Sequence, residues 1–170
     1  MSNQNKVSDP TATVTPSLFD PAEQALWSRP GYLVRRLNQI HYAMFFEECN
    51  HDLTPVQYGV LTALALQPNN DQKTIGKELG LDRTTTADVL KRLELKGYVN
   101  RTVCPTDRRA RLSSLTAEGH QILNQLHESM AKAQQRLIAP LNQKDQQTFL
   151  RLLTKLVHAN NHYGRAAADL

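Results

Sequence analysis

The stretch CPTDRRARLSSLTAEG, residues 104–119, places three arginines and an aspartate around a Pro-Thr turn. The segments on either side, YVNRTVC and ARLSSL, alternate and carry β-branched residues, which predicts a two-stranded β-hairpin with the charged turn at its tip. Thr116, followed by Glu118 and Gly119, then opens a long helix. Positive charge collected on a turn between two strands favours a polyanionic partner.

Two short helices are predicted just before this hairpin, DQKTIGKELG and DRTTTADVLKRLELKG, joined through Gly80 and Leu81. This pair fits a helix-turn-helix, whose second helix enters the DNA major groove with its first residues at the base edges. Three consecutive threonines are poor helix-interior residues, but their hydroxyls and methyls suit phosphates and bases. The candidate contacts are Arg83 to phosphate, and Thr84, Thr85 and Thr86 to the major groove.

A hairpin that follows a helix-turn-helix is a wing, and its tip can reach the minor groove or the backbone, where arginine is favoured. The candidate wing contacts are Arg108, Arg109 and Arg111. Asp107 is expected to pair with Arg109 and hold it in one geometry. Two other interpretations stay open at this point: a solvated charged turn, and a helix pair that binds protein instead of DNA.

The segment DRRARLSSLTAEG resembles the wing pattern of the MarR family, Asp-x-Arg, five residues, Leu-Thr-x-x-Gly, at Asp107, Arg109, Leu115, Thr116 and Gly119. LTPVQYGVLTAL is similar to that family's second helix, and LGLDRTTTADVLKRLELKGYVNR to its recognition helix and first wing strand. The resemblance covers residues 31–160. It implies a homodimeric winged-helix regulator that reads a pseudo-palindromic operator on double-stranded DNA and is often released by a small ligand or an oxidant.

The predicted fold class is mainly α with a small β-hairpin wing, in which a winged helix-turn-helix lobe accompanies an interlocking helical dimerisation region. We expect a flexible tail over 1–29, dimerisation helices over about 30–50 and 117–160, the winged lobe over about 54–115, and a C-terminal tail over 161–170. Apolar residues at helical spacing in the first and last helices exceed what one small lobe could cover, which also favours a homodimer.

Composition narrows the class of protein. The 170 residues carry a net charge of +4, only 6% aromatic residues and 7 glycines, as is typical of a mostly helical domain. The sequence holds no P-loop, GxGxxG, GxSxG or HExxH motif, so we expect no enzyme activity, cofactor or metal. With no apparent signal peptide, no membrane-length apolar stretch and no CxxC pair, a cytoplasmic transcriptional regulator, most simply a repressor, is expected.

An effector site is sought where the family resemblance implies one, between the dimerisation helices and the DNA-binding lobe. Apolar and aromatic walls with an arginine and a histidine would suit a small aromatic carboxylate, which would indicate control of a catabolic pathway. The alternative for each residue is an ordinary core position. The candidates are Arg35, Arg36, His41, Tyr42, Phe45, Tyr58 and Leu61.

Two cysteines leave a redox mechanism open as an alternative. Cys49 lies beside Glu47 and Glu48 near a helix end, a setting that disfavours the thiolate. Cys104 lies near the wing arginines, which is a better electrostatic setting. Zinc binding by His41, Cys49 and His51 is a further alternative, although their spacing matches no strong metal pattern.

Overall fold

The computed structural model describes residues 25–164, which are mostly helical and carry one small antiparallel sheet. The chain divides into two compact units, of which the first ends at Asn38 and the second begins at Gln39. Short 3-10 turns lie at Leu26–Ser28 and Asn161–Tyr163. The elements are α1 (Pro30–Cys49), α2 (Pro55–Leu66), β1 (Asn70–Asp71), α3 (Gln72–Leu79), α4 (Arg83–Leu95), β2 (Val99–Val103), β3 (Arg111–Leu115), α5 (Ala117–Ile138) and α6 (Gln143–Asn160).

Side-chain caps fix where most helices begin, because the first backbone N–H groups of a helix have no partner within it. Thr54 forms a capping box with Gln57 ahead of α2, and Pro55 occupies the first helical position. The Asp82 carboxylate accepts from the Thr85 N–H at 2.8 Å and starts α4. Thr116 starts α5 in the same way. The predicted starts of these helices are confirmed.

The predicted hairpin is confirmed as β2 and β3, which pair antiparallel from Val99↔Leu115 to Val103↔Arg111. A third strand, β1, pairs with the other edge of β3, so the strand order is β1-β3-β2. The sequence did not indicate β1, because a strand of two residues is too short to show an alternating pattern. β1 attaches the start of α3 directly to the wing.

The hydrophobic core of the second unit lies among α1, α2, α3, α4 and α5. Fully buried side chains from these helices form it, and Val99 extends it to the root of the wing. Burying an aliphatic or aromatic side chain stabilises the fold by roughly 1.5–3 kcal/mol. The principal contributors are Phe45, Val60, Leu61, Leu64, Ile75, Leu90, Leu93 and Leu126.

Helices α3 and α4 cross closely at Gly76. A Cβ there would lie 2.9 Å from both the Leu81 carbonyl oxygen and Oγ1 of Thr86, so a larger residue would push the helices apart. Across the same junction the Gln72 amide donates to the Arg83 carbonyl oxygen at 2.8 Å. These contacts hold α3 and α4 close together at this crossing.

The root of the wing is tied to the start of α5. The Thr116 hydroxyl donates to the Gly97 carbonyl oxygen at 2.6 Å, and the Thr116 N–H donates to the Tyr98 carbonyl oxygen at 3.1 Å. A Cβ at Gly119 would overlap the Tyr98 carbonyl oxygen, so this position requires glycine. The Leu-Thr-x-x-Gly part of the motif is therefore a joint between wing and helix.

Helix α5 is also tied to the last turn of α1. The Arg136 guanidinium donates to Glu48 at 2.5 Å and to Glu47 at 3.0 Å. By contrast, α6 buries no residue in this chain. Its exposed apolar side chains are Leu150, Leu152, Leu153, Leu156 and Val157.

The proposed domain limits stay predictions. Most of the proposed N-terminal tail, residues 1–24, and residues 165–170 lie outside the described residues. Within residues 25–164, no helix combines the length and apolar character needed to cross a bilayer.

Candidate nucleic-acid interface

A cleft of about 530 Å³ lies between the helix-turn-helix and the wing. Its walls come from α3, the start of α4, β2 and the wing tip. Cationic side chains dominate this lining, which gives it the charge that a nucleic-acid backbone requires. They are Lys73, Lys77, Arg83, Arg101, Arg109 and Arg111.

Three of the four residues predicted at the start of α4 are accessible. Arg83, Thr84 and Thr85 are exposed, and Thr85 donates its hydroxyl to the Asp82 carboxylate at 3.0 Å. This hydrogen bond uses the hydroxyl hydrogen of Thr85, so the hydroxyl oxygen keeps both lone pairs as acceptors. The first turn of α4 therefore presents a cation and two β-branched hydroxyl side chains to solvent.

The prediction for Thr86 needs correction. Its side chain is 0% exposed, and its hydroxyl donates to the Asp82 carbonyl oxygen at 2.8 Å. The neighbouring Gly76 leaves the space that the Thr86 side chain fills. Thr86 therefore joins α3 to α4, and it does not reach a base edge.

Arg108, Arg109 and Arg111 are exposed at the wing, as their predicted role requires. The contact proposed for Asp107 is different from the one observed. Its carboxylate accepts from the Arg109 backbone N–H at 2.9 Å, and its carbonyl oxygen accepts from the Ala110 N–H at 3.0 Å. Asp107 shapes the turn through the backbone, and among the described residues it forms no ion pair with the Arg109 guanidinium.

Sequence reasoning missed three cations of the cleft. Lys73 and Lys77 were treated only as part of a short helix, and Arg101 only as part of a strand. The one available indication was their charge, and lysines and arginines are common on any protein surface. Only the folded chain brings α3 and β2 to the same cleft.

A second cavity, of about 390 Å³, lies among α1, α2, α3 and α5 and includes two of the predicted effector residues, His41 and Tyr58. Gln134 Nε2 lies 3.4 Å from His41 Nε2. Burial raises the pKa of the Tyr58 hydroxyl. The other lining residues are Pro55, Gly59, Thr62, Ala63, Leu66, Glu78, Leu79, Met130 and Gln134.

The remaining predicted effector residues lie elsewhere. Phe45 and Leu61 are 0% exposed and belong to the core, so neither is retained as an effector contact. Tyr42 packs edge-on against His41 at a ring separation of 6.0 Å and does not line the cavity. Arg35 lies over the Tyr32 ring at 5.3 Å. Arg35 and Arg36 belong to the first unit, and their effector role stays a prediction.

The two cysteines differ as the sequence predicts. Burial, and secondarily the Glu48 carboxylate, raise the pKa of the Cys49 thiol. Hydrogen bonds from Thr106 and from the backbone lower the pKa of Cys104, so the cause is the turn rather than the nearby arginines. The zinc alternative finds no support, since no group of three potential ligand side chains gathers within residues 25–164.

Comparison with known proteins identifies this architecture. The model of the MarR family matches residues 51–110. The transcriptional regulator HosA of Escherichia coli O111:H- is 32% identical over 135 residues, which cover 79% of this chain and 99% of HosA. The resemblance of the wing motif and the recognition helix therefore extends over nearly the whole length of a known regulator.

Solved structures of transcriptional regulators share this fold. The PcaV transcriptional regulator of Streptomyces coelicolor, in complex with its natural ligand, is 37% identical with a TM-score of 0.76, over 80% of this chain and 96% of PcaV. BpsR of Bordetella bronchiseptica, whose DNA binding is regulated by 6-hydroxynicotinic acid, is 27% identical with a TM-score of 0.72, over 81% and 96%. The chain belongs to the MarR family of winged helix-turn-helix transcriptional regulators.

Proposed function

We propose that this regulator is a homodimeric repressor that binds a pseudo-palindromic operator and releases it when a small aromatic carboxylate binds. The cationic cleft between α3, α4 and the wing is the observation that carries the DNA part of this proposal. In a winged helix-turn-helix, the recognition helix enters the major groove while the wing approaches the adjacent minor groove or backbone. The cleft gives both elements one continuous, positively charged face.

The exposed residues at the start of α4 and on the wing have proposed roles. Arg83 binds phosphate, and Thr84 and Thr85 contact base edges. The wing arginines, Arg108, Arg109 and Arg111, bind the negative backbone and the narrow minor groove. Asp107 keeps the wing turn in shape through its hydrogen bond to the Arg109 N–H.

Selection of binding sites from a pool of random-sequence duplexes tests this function. The expected consensus is a pseudo-palindrome whose half-sites lie about 10–10.5 base pairs apart, or a multiple of that spacing. Arg109→Ala should then weaken binding to the selected site more than tenfold, with the dimer intact by light scattering. Lys132→Ala, which removes an exposed cation of α5, is the matched control. Equal affinity of the two variants would remove the wing from the mechanism.

The second cavity supports the effector part of the proposal. Apolar side chains such as Leu79 and Met130 can pack against a ring, while His41 and Gln134 can donate hydrogen bonds to a carboxylate. The regulation of BpsR by 6-hydroxynicotinic acid makes hydroxylated aromatic acids the first compounds to test.

Thermal unfolding against a panel of aromatic carboxylates, including 6-hydroxynicotinate, tests this part. A ligand at a hundred times its dissociation constant should add about 2.7 kcal/mol to the free energy of unfolding. His41→Ala should abolish the shift, while His127→Ala on exposed α5 should keep it. If no acid raises the melting temperature, and peroxide changes it only while Cys104 is present, a redox repressor replaces the ligand mechanism.

A further inference from the structure

Arg101 on β2 is the least exposed cation of the cleft. Its side chain is 16% exposed, and its nearest acid, Glu94 on α4, lies 3.9 Å away. Its Nε atom is buried without a hydrogen-bond partner among residues 25–164. Buried donors are normally paired, and a buried charge needs compensation that one long ion pair does not supply. The charge of Arg101 is therefore incompletely compensated within the protein, and the exposed part of its side chain lines the cleft.

The surroundings of Arg101 favour an anion. Lys73 on α3 and Arg109 and Arg111 on the wing line the same cleft. Among the described lining residues Asp71 is the one carboxylate, and its Oδ1 already accepts from the Thr74 N–H at 2.7 Å, which caps α3. The cleft volume of about 530 Å³ is ample for a phosphate group. The lining thus offers several donors to an anion and little repulsion.

The position of the cleft indicates which anion belongs there. Neighbouring major and minor grooves of a duplex are separated by one sugar-phosphate strand. If α4 occupies the major groove and the wing the adjacent minor groove, that strand must pass between them. The cleft is the space between α4 and the wing, so the passing backbone lies over Arg101.

We propose that the cleft holds a phosphate group of the DNA backbone, with Arg101 as a forked donor at its base and Lys73 as a charge at its rim. This inference rests on the proposed binding of DNA. The planar guanidinium matches two phosphate oxygens at once, whereas the Lys73 ammonium acts as a point charge. A contact of this kind carries no sequence information; it sets how deeply α4 and the wing sit on the duplex.

The test uses a random-sequence duplex of about 25 base pairs, because backbone contacts supply essentially all of non-specific binding. Binding is measured by fluorescence anisotropy across a range of salt concentrations. Arg101→Gln and Lys73→Gln should each reduce the slope of log affinity against log salt by about 0.9, the amount expected for one lost phosphate contact. Lys132→Gln removes the same charge outside the cleft and should leave the slope unchanged.

Folding is controlled separately, because Arg101 is largely buried. Lys73 is exposed, so Lys73→Gln tests the cleft without disturbing the core. Arg101→Lys keeps the charge and loses the fork, and it should bind more weakly than the wild type with little change in slope. Wild-type slopes in both Arg101→Gln and Lys73→Gln, with both folded by circular dichroism, would overturn the proposal.

Inorganic phosphate distinguishes failure of the cleft from failure of the DNA function. At equal ionic strength, phosphate should raise the melting temperature of the wild type more than chloride does, and Arg101→Gln should lose this difference. If phosphate stabilises the wild type more than chloride does but the wild type does not bind duplex, the site is a phosphate site whose ligand is free phosphate. The proposed DNA function is then wrong. No effect of phosphate and no change in slope would refute the site.

Discussion

Gly119 shows how one residue can hold two elements together. Its backbone lies against the carbonyl oxygen of Tyr98, the residue that precedes the first wing strand. Thr116 donates hydrogen bonds to the carbonyl oxygens of Gly97 and Tyr98. No side chain fits between the first turn of α5 and this segment. The glycine of the wing motif is thus explained by close approach of two backbones, and no contact with DNA is needed to account for it.

Gly119→Ala should lower the free energy of unfolding by about 1–3 kcal/mol, because the new Cβ must displace backbone. Gly31→Ala is the matched control, since a Cβ at Gly31 meets nothing within 4 Å. That control should be neutral or stabilising by up to roughly 1 kcal/mol. Urea titrations measure the free energy of unfolding of the two variants. Equal stabilities would show that the wing and α5 can move apart at Gly119 without loss of stability.

Thr86 illustrates a limit of sequence reasoning at the same scale. Three consecutive threonines look equivalent in the sequence, yet Thr84 and Thr85 are exposed while Thr86 is buried. The difference arises because α3 crosses α4 at Gly76, beside Thr86. A helical periodicity count alone does not reveal which side the neighbouring helix covers.

At the scale of elements, the short helix α3 is held at its N-terminus as well as by its packing against α4. Its eight residues are joined to the sheet through β1 and are capped by Asp71. Hydrogen bonding to the Thr74 N–H holds the pKa of the Asp71 carboxyl below its usual range. The charged form of Asp71 therefore stabilises the folded chain.

Asp71→Ala should cost about 1 kcal/mol of stability at neutral pH, the usual effect of losing an N-cap. Because the folded-state pKa is lowered, the stabilisation is complete above the unfolded-state pKa and disappears as pH falls through the folded-state value. Urea titrations from pH 7 to pH 3 measure this loss. Asp88→Ala, which removes an exposed ion pair to Arg92, should cost no more than about 0.5 kcal/mol. If the stability difference between the wild type and Asp71→Ala is the same at every pH, the charge of Asp71 does not contribute to the cap.

At the scale of the whole molecule, α6 has an apolar face that stays exposed in the single chain. It exposes five large apolar residues and buries none. Contiguous exposed apolar surface of this kind marks an interaction site, and a second copy of the chain is the occupant that the proposed homodimer requires.

Leu156→Glu should convert the dimer to monomers, because it would bury a carboxylate in the proposed interface, and Leu156 is 59% exposed in the single chain. Light scattering after gel filtration measures the mass, and circular dichroism checks that the helices persist. Lys155→Glu places the same side chain about 100° further around α6, outside the apolar stripe, and should remain dimeric. A dimeric Leu156→Glu variant would show that α6 is not the interface.

Local patterns in the sequence determined the helix starts, the hairpin and the family of this protein. Caps such as Thr54, Asp82 and Thr116 act on N–H groups three residues away, and β2 and β3 are joined by a short turn. Interactions over such distances depend on nearby residues alone. They can therefore be predicted without the fold.

Only the tertiary structure decided which side chains share a surface. Lys73, Arg101 and Arg109 meet in one cleft although they come from α3, β2 and the wing tip, and His41 meets Gln134 across 93 positions of the chain. The same packing buried Thr86, Phe45 and Leu61 and withdrew them from the predicted sites. The exposure of a side chain depends on which other element covers it. The angle at which two helices cross depends on the packing of both, so the residues of one helix alone do not determine it.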